Sequence, residues 1–192
     1  GADAQVAPAG GPAADRPPLT GKKVLMVIAP KDFRDEELFV TRGELEKQGA
    51  RISVASETQR EAQGVLGGKV KPDLALKDVK AEEYDAVVFV GGPGAKAYYD
   101  DAQCHKIAQA AVKHEKVTAA ICIAPCILAK AGVLKGVKAT VWPSPATKAI
   151  LREGGATCVE KHVVQDGRVV TADGPESAKG FGETLVKVLA GG

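Results

Sequence analysis

Cys122 ends an apolar, β-like run in "TAAICIAPCILAKAG" (118–132) and is followed by Ile123, Ala124, Pro125 and a helix-forming segment. At a strand-to-helix turn, unpaired backbone N–H groups and the helix dipole favour a thiolate, which lowers the pKa below about 8.5 and makes a nucleophile. A buried small hydrophobe is the bland alternative for any cysteine. A second candidate is the turn "VGGPGAKA" (90–97), where Gly91 and Gly92 follow an apolar strand. Gly92, Gly94 and Ala97 only weakly match a dinucleotide fingerprint, and no acidic residue at the end of a following strand supports it. The better reading is a turn whose N–H groups point into a site as oxyanion donors, with a plain tight turn as the alternative.

A third candidate is acidic. Asp35, Glu36 and Glu37 open a helix, and complementing the helix dipole accounts for Asp35 and Glu36. Glu37 can differ, because a carboxyl pointing back at the strand ends would reach the cysteine. It must then be protonated, since a second negative charge would raise the thiol pKa.

The elements that must position these groups alternate. "KVLMVIA", "RISVAS", "YDAVVFV" and "VTAAI" read as buried strands, with "DEELFVTRGELEKQG" and "DAQCHKIAQAAVKHEK" as helices between them. "KATVW" and "ATCVE" read as further strands, "PATKAILREGG" as a short helix, "HVVQDGRVVTA" as a hairpin turning at Asp166-Gly167, and "PESAKGFGETLVKVLA" as a closing helix. "GVLGGKVKPDLALKDV" is irregular and extended. The sum is an α/β doubly wound domain, mostly parallel, with helices on both faces; its sites form at the carboxyl ends of the strands.

Composition narrows the classes. The chain has 192 residues, 45% hydrophobic and 26% charged, with a formal net charge of +2. That balance fits one globular domain and offers no basic face for nucleic acid. No apolar run is long enough for a membrane helix. Residues 1–20, rich in Ala, Gly and Pro, read as a disordered leader ahead of a domain at 21–192. Such a tether suits an exported protein, and export is the expectation, with the cytoplasm as alternative. The four cysteines, Cys104, Cys122, Cys126 and Cys158, lack zinc-site spacing. Cys126, one helical turn after Cys122, reads as core or as a resolving thiol. Cys104 and Cys158 read as structural.

Taken together, "AAICIAP", "YDAVVFVGGPG" and "DEELFVTRGELEKQG" resemble the ThiJ/PfpI superfamily over about residues 22 to 190. The resemblance implies a flavodoxin-like sandwich, a homodimer and a reactive cysteine, Cys122, hydrogen-bonded by a protonated glutamate that matches Glu37. It also implies oxyanion donors at Gly92 and the Ile123 amide. Two departures matter. Protease-like members carry His at the place of Ile123, and deglycase-like members carry His where "TVWP" puts Trp142, which would wall the pocket instead. His105, His114 and His162 fall on no motif position. Peptide hydrolysis loses its usual proton donor and acceptor. The leading expectation is a cysteine-dependent enzyme acting on a small-molecule electrophile, such as an aldehyde, a glycated adduct or an isocyanide, without metal or cofactor. The alternatives are a redox-responsive stress or chaperone-like protein and a ligand-binding module.

Overall fold

A computed structural model describes residues 15–191. The chain runs β1 (Lys23–Val27), β2 (Lys31–Phe33), α1 (Asp35–Lys47), β3 (Arg51–Ser56), β4 (Ala62–Gly64), β5 (Lys69–Val70) and β6 (Leu74–Ala75). It continues through β7 (Ala86–Phe89), α2 (Ala102–Lys113), β8 (Val117–Ile121), α3 (Pro125–Lys130), β9 (Lys138–Ala139) and α4 (Pro145–Glu153). The last elements are β10 (Thr157–Cys158), β11 (Val163–Asp166), β12 (Val169–Ala172) and α5 (Ala178–Leu189).

The main sheet has seven strands in the order β11-β12-β8-β7-β1-β3-β6, and every neighbouring pair is parallel except β11 with β12. Because side chains alternate along a strand, each strand feeds two cores. Val24, Met26, Val88, Ala119 and Ile121 face α1 and α5, whose Leu38, Leu45, Phe181 and Leu185 complete that layer. Leu25, Val27, Val87, Phe89 and Ala120 face the opposite layer, with Ile107, Ala111, Ile127 and Leu151 from α2, α3 and α4. This is the doubly wound α/β domain expected from the strand and helix pattern, and the flavodoxin-like sandwich that the ThiJ/PfpI resemblance implies.

The winding starts at β1, moves out through β3 to β6, then reverses to β7, β8 and β12. The reversal leaves a crevice beyond the carboxyl ends of β1, β7 and β8. Tyr98 ties this end together: its hydroxyl donates to Ile28 O at 2.9 Å and accepts from Glu57 N–H at 3.1 Å. "KATVW" keeps ladder pairing only at Lys138 and Ala139, so Trp142 lies beyond the strand. Among the described residues no helix is long and apolar enough to cross a membrane.

The boundary drawn at Gly21 falls inside the folded chain. Leu19 is fully buried, and its N–H donates to Gln48 O at 2.8 Å. The segment leading to it crosses the end of α1 closely, where a Cβ on Gly49 would stand 2.9 Å from Pro17 Cβ. Leu19 therefore seals the α1 core layer; residues 1–14 of the proposed leader lie outside the described residues. Leu19→Ala is expected to cost about 2 to 5 kcal/mol of stability by leaving a cavity. Urea unfolding measures it, and an unchanged midpoint would return residue 19 to the leader.

Candidate functional site

Cys122 follows the last residue of β8 and has φ +65°, a left-handed conformation that costs a side-chain-bearing residue energy. The backbone is held there from two sides: Cys122 N–H donates to Ala172 O at 2.9 Å, and Cys122 O accepts from Trp142 N–H at 2.8 Å. The strained residue is thus fixed by the end of β12 and by the segment after β9. Its side chain is turned into the crevice, where Gly92 and Ile123 offer backbone N–H groups to the sulfur. α3 has only six residues, so these two amides, more than a helix dipole, supply the local positive potential.

Gly92 must be glycine on two counts. Its φ is +100°, and a Cβ would lie 2.4 Å from Arg34 N. Gly91 is confined by side chains: a Cβ there would lie 2.6 Å from Cys122 Cβ and 2.6 Å from Glu37 Oε1. The close approach lets Gly91 N–H donate to Glu37 Oε1 at 2.9 Å, while Gly91 O accepts from Arg34 N–H at 2.9 Å.

Glu37, in the first turn of α1, is fully buried. Its Oε2 has no conventional hydrogen-bond partner, and the Cys122 thiol is the titratable group coupled to it. Desolvation pushes the Glu37 pKa up to about 7, against the pull of Cys122 and of the Gly91 amide. Burial likewise pushes the Cys122 thiol up, to about 12, helped by the Glu37 carboxylate and opposed by the Gly92 and Ile123 amides. This corrects the expectation of a thiol below the free value. The two acids titrate as a pair: desolvation holds the first proton up to about pH 7, and the second is held further because two anions would share one desolvated pocket. The single negative charge can sit on sulfur when Glu37 carries the proton, so a thiolate forms by transfer within the pair.

The sulfur opens into a cleft of about 460 Å³. Its lining is mainly apolar, with Ile123, Trp142, Ala146 and Ile150 prominent, and Arg34 and Lys96 also border it. The structure thus brings Cys122, Glu37, Gly91, Gly92, Ile123 and Trp142 to one place. The histidines are engaged elsewhere: His105 Nε2 lies 2.6 Å from Tyr99 O, His162 Nδ1 lies 2.9 Å from Asp173 Oδ2, and His114 caps α2. Cys126 is fully buried, with its thiol directed at Thr147 O.

Residues 22–188 match the sequence profile of the DJ-1/PfpI family. The chain belongs to the DJ-1/PfpI family. It is 33% identical to a deglycase of Pyrococcus horikoshii, over 87% of this chain and 99% of that one. It is 29% identical to a glutathione-independent glyoxalase of Caenorhabditis elegans, over 88% of this chain and 90% of that one. Among solved structures it resembles a ThiJ/PfpI domain protein from Brachyspira murdochii, with a TM-score of 0.85 and 36% identity over 89% of this chain and 99% of that one.

Sequence reasoning undervalued two neighbours of this DJ-1/PfpI site. Asp35 does more than complement the helix dipole, because its carboxylate accepts from Leu66 N–H and Gly68 N–H, both at 2.8 Å, and so clamps the loop after β4. Glu36 is bound by Arg34 through two hydrogen bonds of 3.0 and 2.8 Å, which holds its carboxyl below the usual range. The glycines of "GVLGG" were the available signal for the first: a Cβ on Gly64 or Gly68 would collide with Asp35.

Glu37 makes stability depend on pH with a definite sign. A carboxyl that ionises near 7 when folded and near 4.5 when unfolded favours the folded state fully below pH 4.5, and that contribution is lost as pH rises to 7. The loss amounts to about 3 kcal/mol. In Glu37→Gln this part of the slope should vanish. Denaturant unfolding at a series of pH values reads it, and a slope retained in the variant would assign it to other groups.

Proposed function

We propose that the protein is a cysteine-dependent enzyme acting on small electrophilic aldehydes, in the manner that the names of its deglycase and glyoxalase relatives suggest. The observation that carries this reading is the fully buried Glu37 beside Cys122, with a carboxyl that holds its proton up to about pH 7. A protonated acid in contact with a thiol, under two backbone donors, is an arrangement for adding sulfur to a carbonyl.

The chemistry follows from those groups. With the proton of the pair on Glu37, the Sγ thiolate bonds to the aldehyde carbon, and the C=O π electrons move onto oxygen, towards the amides of Gly92 and Ile123. Glu37 gives its proton to that oxygen, which leaves a hemithioacetal and the Glu37 carboxylate. With an α-oxoaldehyde, the Glu37 carboxylate then removes the proton on the hemithioacetal carbon, and a proton is delivered to the adjacent carbon. One carbon is oxidised and its neighbour reduced, with no external redox partner. The resulting thioester is cleaved by water to a 2-hydroxy acid, which restores the thiol. Peptide bonds are outside this repertoire, since an amine leaving group needs a donor that Ile123 and Trp142 do not supply.

The enzyme acts as a homodimer in this reading. Supporting it are the apolar side chains left in solvent on α1 and the loop after β4: Phe39, Val40, Val65 and Leu66, the last 64% exposed. The test of activity is direct. Purified protein should consume glyoxal or methylglyoxal and release the 2-hydroxy acid, Cys122→Ser should lose about a thousandfold or more, and Glu37→Gln should lose a comparable factor with the fold intact. Turnover that survives Cys122→Ser would overturn the assignment.

A further inference from the structure

Trp142 is nearly half exposed, at 47%, although it follows directly on the buried Val141. Its position explains the exposure. The indole borders the Cys122 cleft and also a second hollow of about 800 Å³, whose lining includes Glu36, His162, Asp173 and Gly174. The two spaces share three residues: Arg34, Trp142 and Pro175.

The wall is built on several supports. Trp142 N–H is bonded to Cys122 O, and Trp142 O accepts from Thr147 Oγ1 at 2.5 Å, so its backbone is fixed relative to the sulfur. Beneath the ring lies Gly174, where a Cβ would stand 2.9 Å from Cε3 and 3.1 Å from Cζ3 of the indole. Gly174 has φ 163°, extended backbone open to any residue, so the space taken by the ring is a sufficient reason for glycine there. Behind it, Asp173 is held by His162 Nδ1 and by Ser177 Oγ at 2.6 Å.

We propose that Trp142 is the specificity-determining wall of the Cys122 cleft, admitting aldehydes with short apolar substituents and excluding those whose substituent would have to pass into the adjoining hollow, where Glu36, His162 and Asp173 stand. The proposal rests on Cys122 being the nucleophile. On the near side the substrate meets the apolar surfaces of Ile123 and Ile150 and one face of the indole. On the far side stand His162, Asp173 and Glu36, which only a longer, polar substituent would use. Removing the ring joins the two spaces and turns a site for small aldehydes into one for extended adducts.

The experiment compares two alkylating reagents that share a reacting carbon and differ in size, iodoacetamide and N-phenyl-iodoacetamide. In each, the Cys122 Sγ–C bond forms, the C–I bond breaks with loss of iodide, and the thiol proton passes to solvent. Peptide mass spectrometry gives the rate at Cys122 for the wild type, Trp142→Ala, Trp142→Phe and Gly174→Ala. The large-to-small rate ratio should rise about tenfold or more in Trp142→Ala and change less than about threefold in Trp142→Phe. Gly174→Ala, which displaces the ring without straining the backbone, should shift the ratio by about threefold in either direction, and it serves as the probe should Trp142→Ala fail to fold. An unchanged ratio in folded Trp142→Ala, or an equal rise in Trp142→Phe, overturns the wall. Failure of the nucleophile reading looks different: Cys122 in the wild type would then be labelled no faster than Cys158. With Cys122 labelled first and the ratio unmoved, only the wall is lost.

Discussion

The whole active end of this protein is arranged around a carboxyl group that has been taken out of water. Glu37 is fully buried, and only one of its oxygens has an ordinary hydrogen-bond partner. A charged carboxylate in that position would carry a large desolvation penalty, so the group retains its proton to about pH 7. The neighbouring elements answer to that constraint. Gly91 has no side chain because Glu37 and Cys122 occupy the space, and its N–H is the donor that Oε1 requires. Gly91 O is in turn held by Arg34 N–H, which sets the start of α1 and hence where Glu37 enters the crevice. The strained φ of Cys122 is the last part of the arrangement, since it aims the sulfur at the same point. Three strand ends and one helix start are thereby locked to a few atoms.

The DJ-1/PfpI family resemblance implies histidine at one of two places, and here Ile123 and Trp142 occupy both. The consequence is a division of labour different from a cysteine–histidine pair. Imidazole can take a thiol proton and carry it to a distant leaving group, whereas Glu37, enclosed between Gly91 and Cys122, can only exchange a proton with atoms adjacent to the sulfur. Additions to carbonyl carbon need no more than that, because the atom that receives the proton is the oxygen bonded to the attacked carbon. The cost falls on nucleophilicity, since burial alone opposes a thiolate. Transfer of the proton onto Glu37 meets that cost by leaving the net charge of the pocket unchanged.

Much of this was legible in the chain because the relevant signals are local. The alternation of apolar strands with amphipathic helices implied the doubly wound sheet, and the residues following three of those strands marked the crevice. Glu37, Gly91, Gly92 and Cys122 were visible as candidates by their place at strand ends and a helix start, with ordinary packing, turn and dipole readings as the alternatives. What escaped was set by contacts distant in sequence. Leu19 looked like part of a leader because its partners, among them Gln48 and the α1 core layer, have no mark in the Ala/Pro-rich segment itself. Asp35 looked like a dipole complement because the loop it clamps lies about thirty residues on, at Leu66 and Gly68. The direction of the Cys122 shift was missed for a related reason: a strand-to-helix turn announces donors, but the extent of desolvation depends on the whole enclosure.

Arg34 shows how the same enclosure reaches its rim. Its backbone N–H fixes Gly91, its guanidinium borders both the Cys122 cleft and the adjoining hollow, and it is bound to Glu36 through two hydrogen bonds. A free guanidinium near Glu37 would stabilise the carboxylate and release the proton that the proposed addition chemistry uses. Pairing with Glu36 counters this, and desolvation remains the larger influence on Glu37, while the weaker pull of Arg34 and push of Glu36 have opposite signs. The positive charge at the mouth is therefore partly neutralised before it can reach the pocket. A half-buried pair between near neighbours at the rim adds little to stability. Its consequence lies in the proton inventory of the site, because Glu36 allows a cation to stand at the entrance while the buried acid behind it stays protonated.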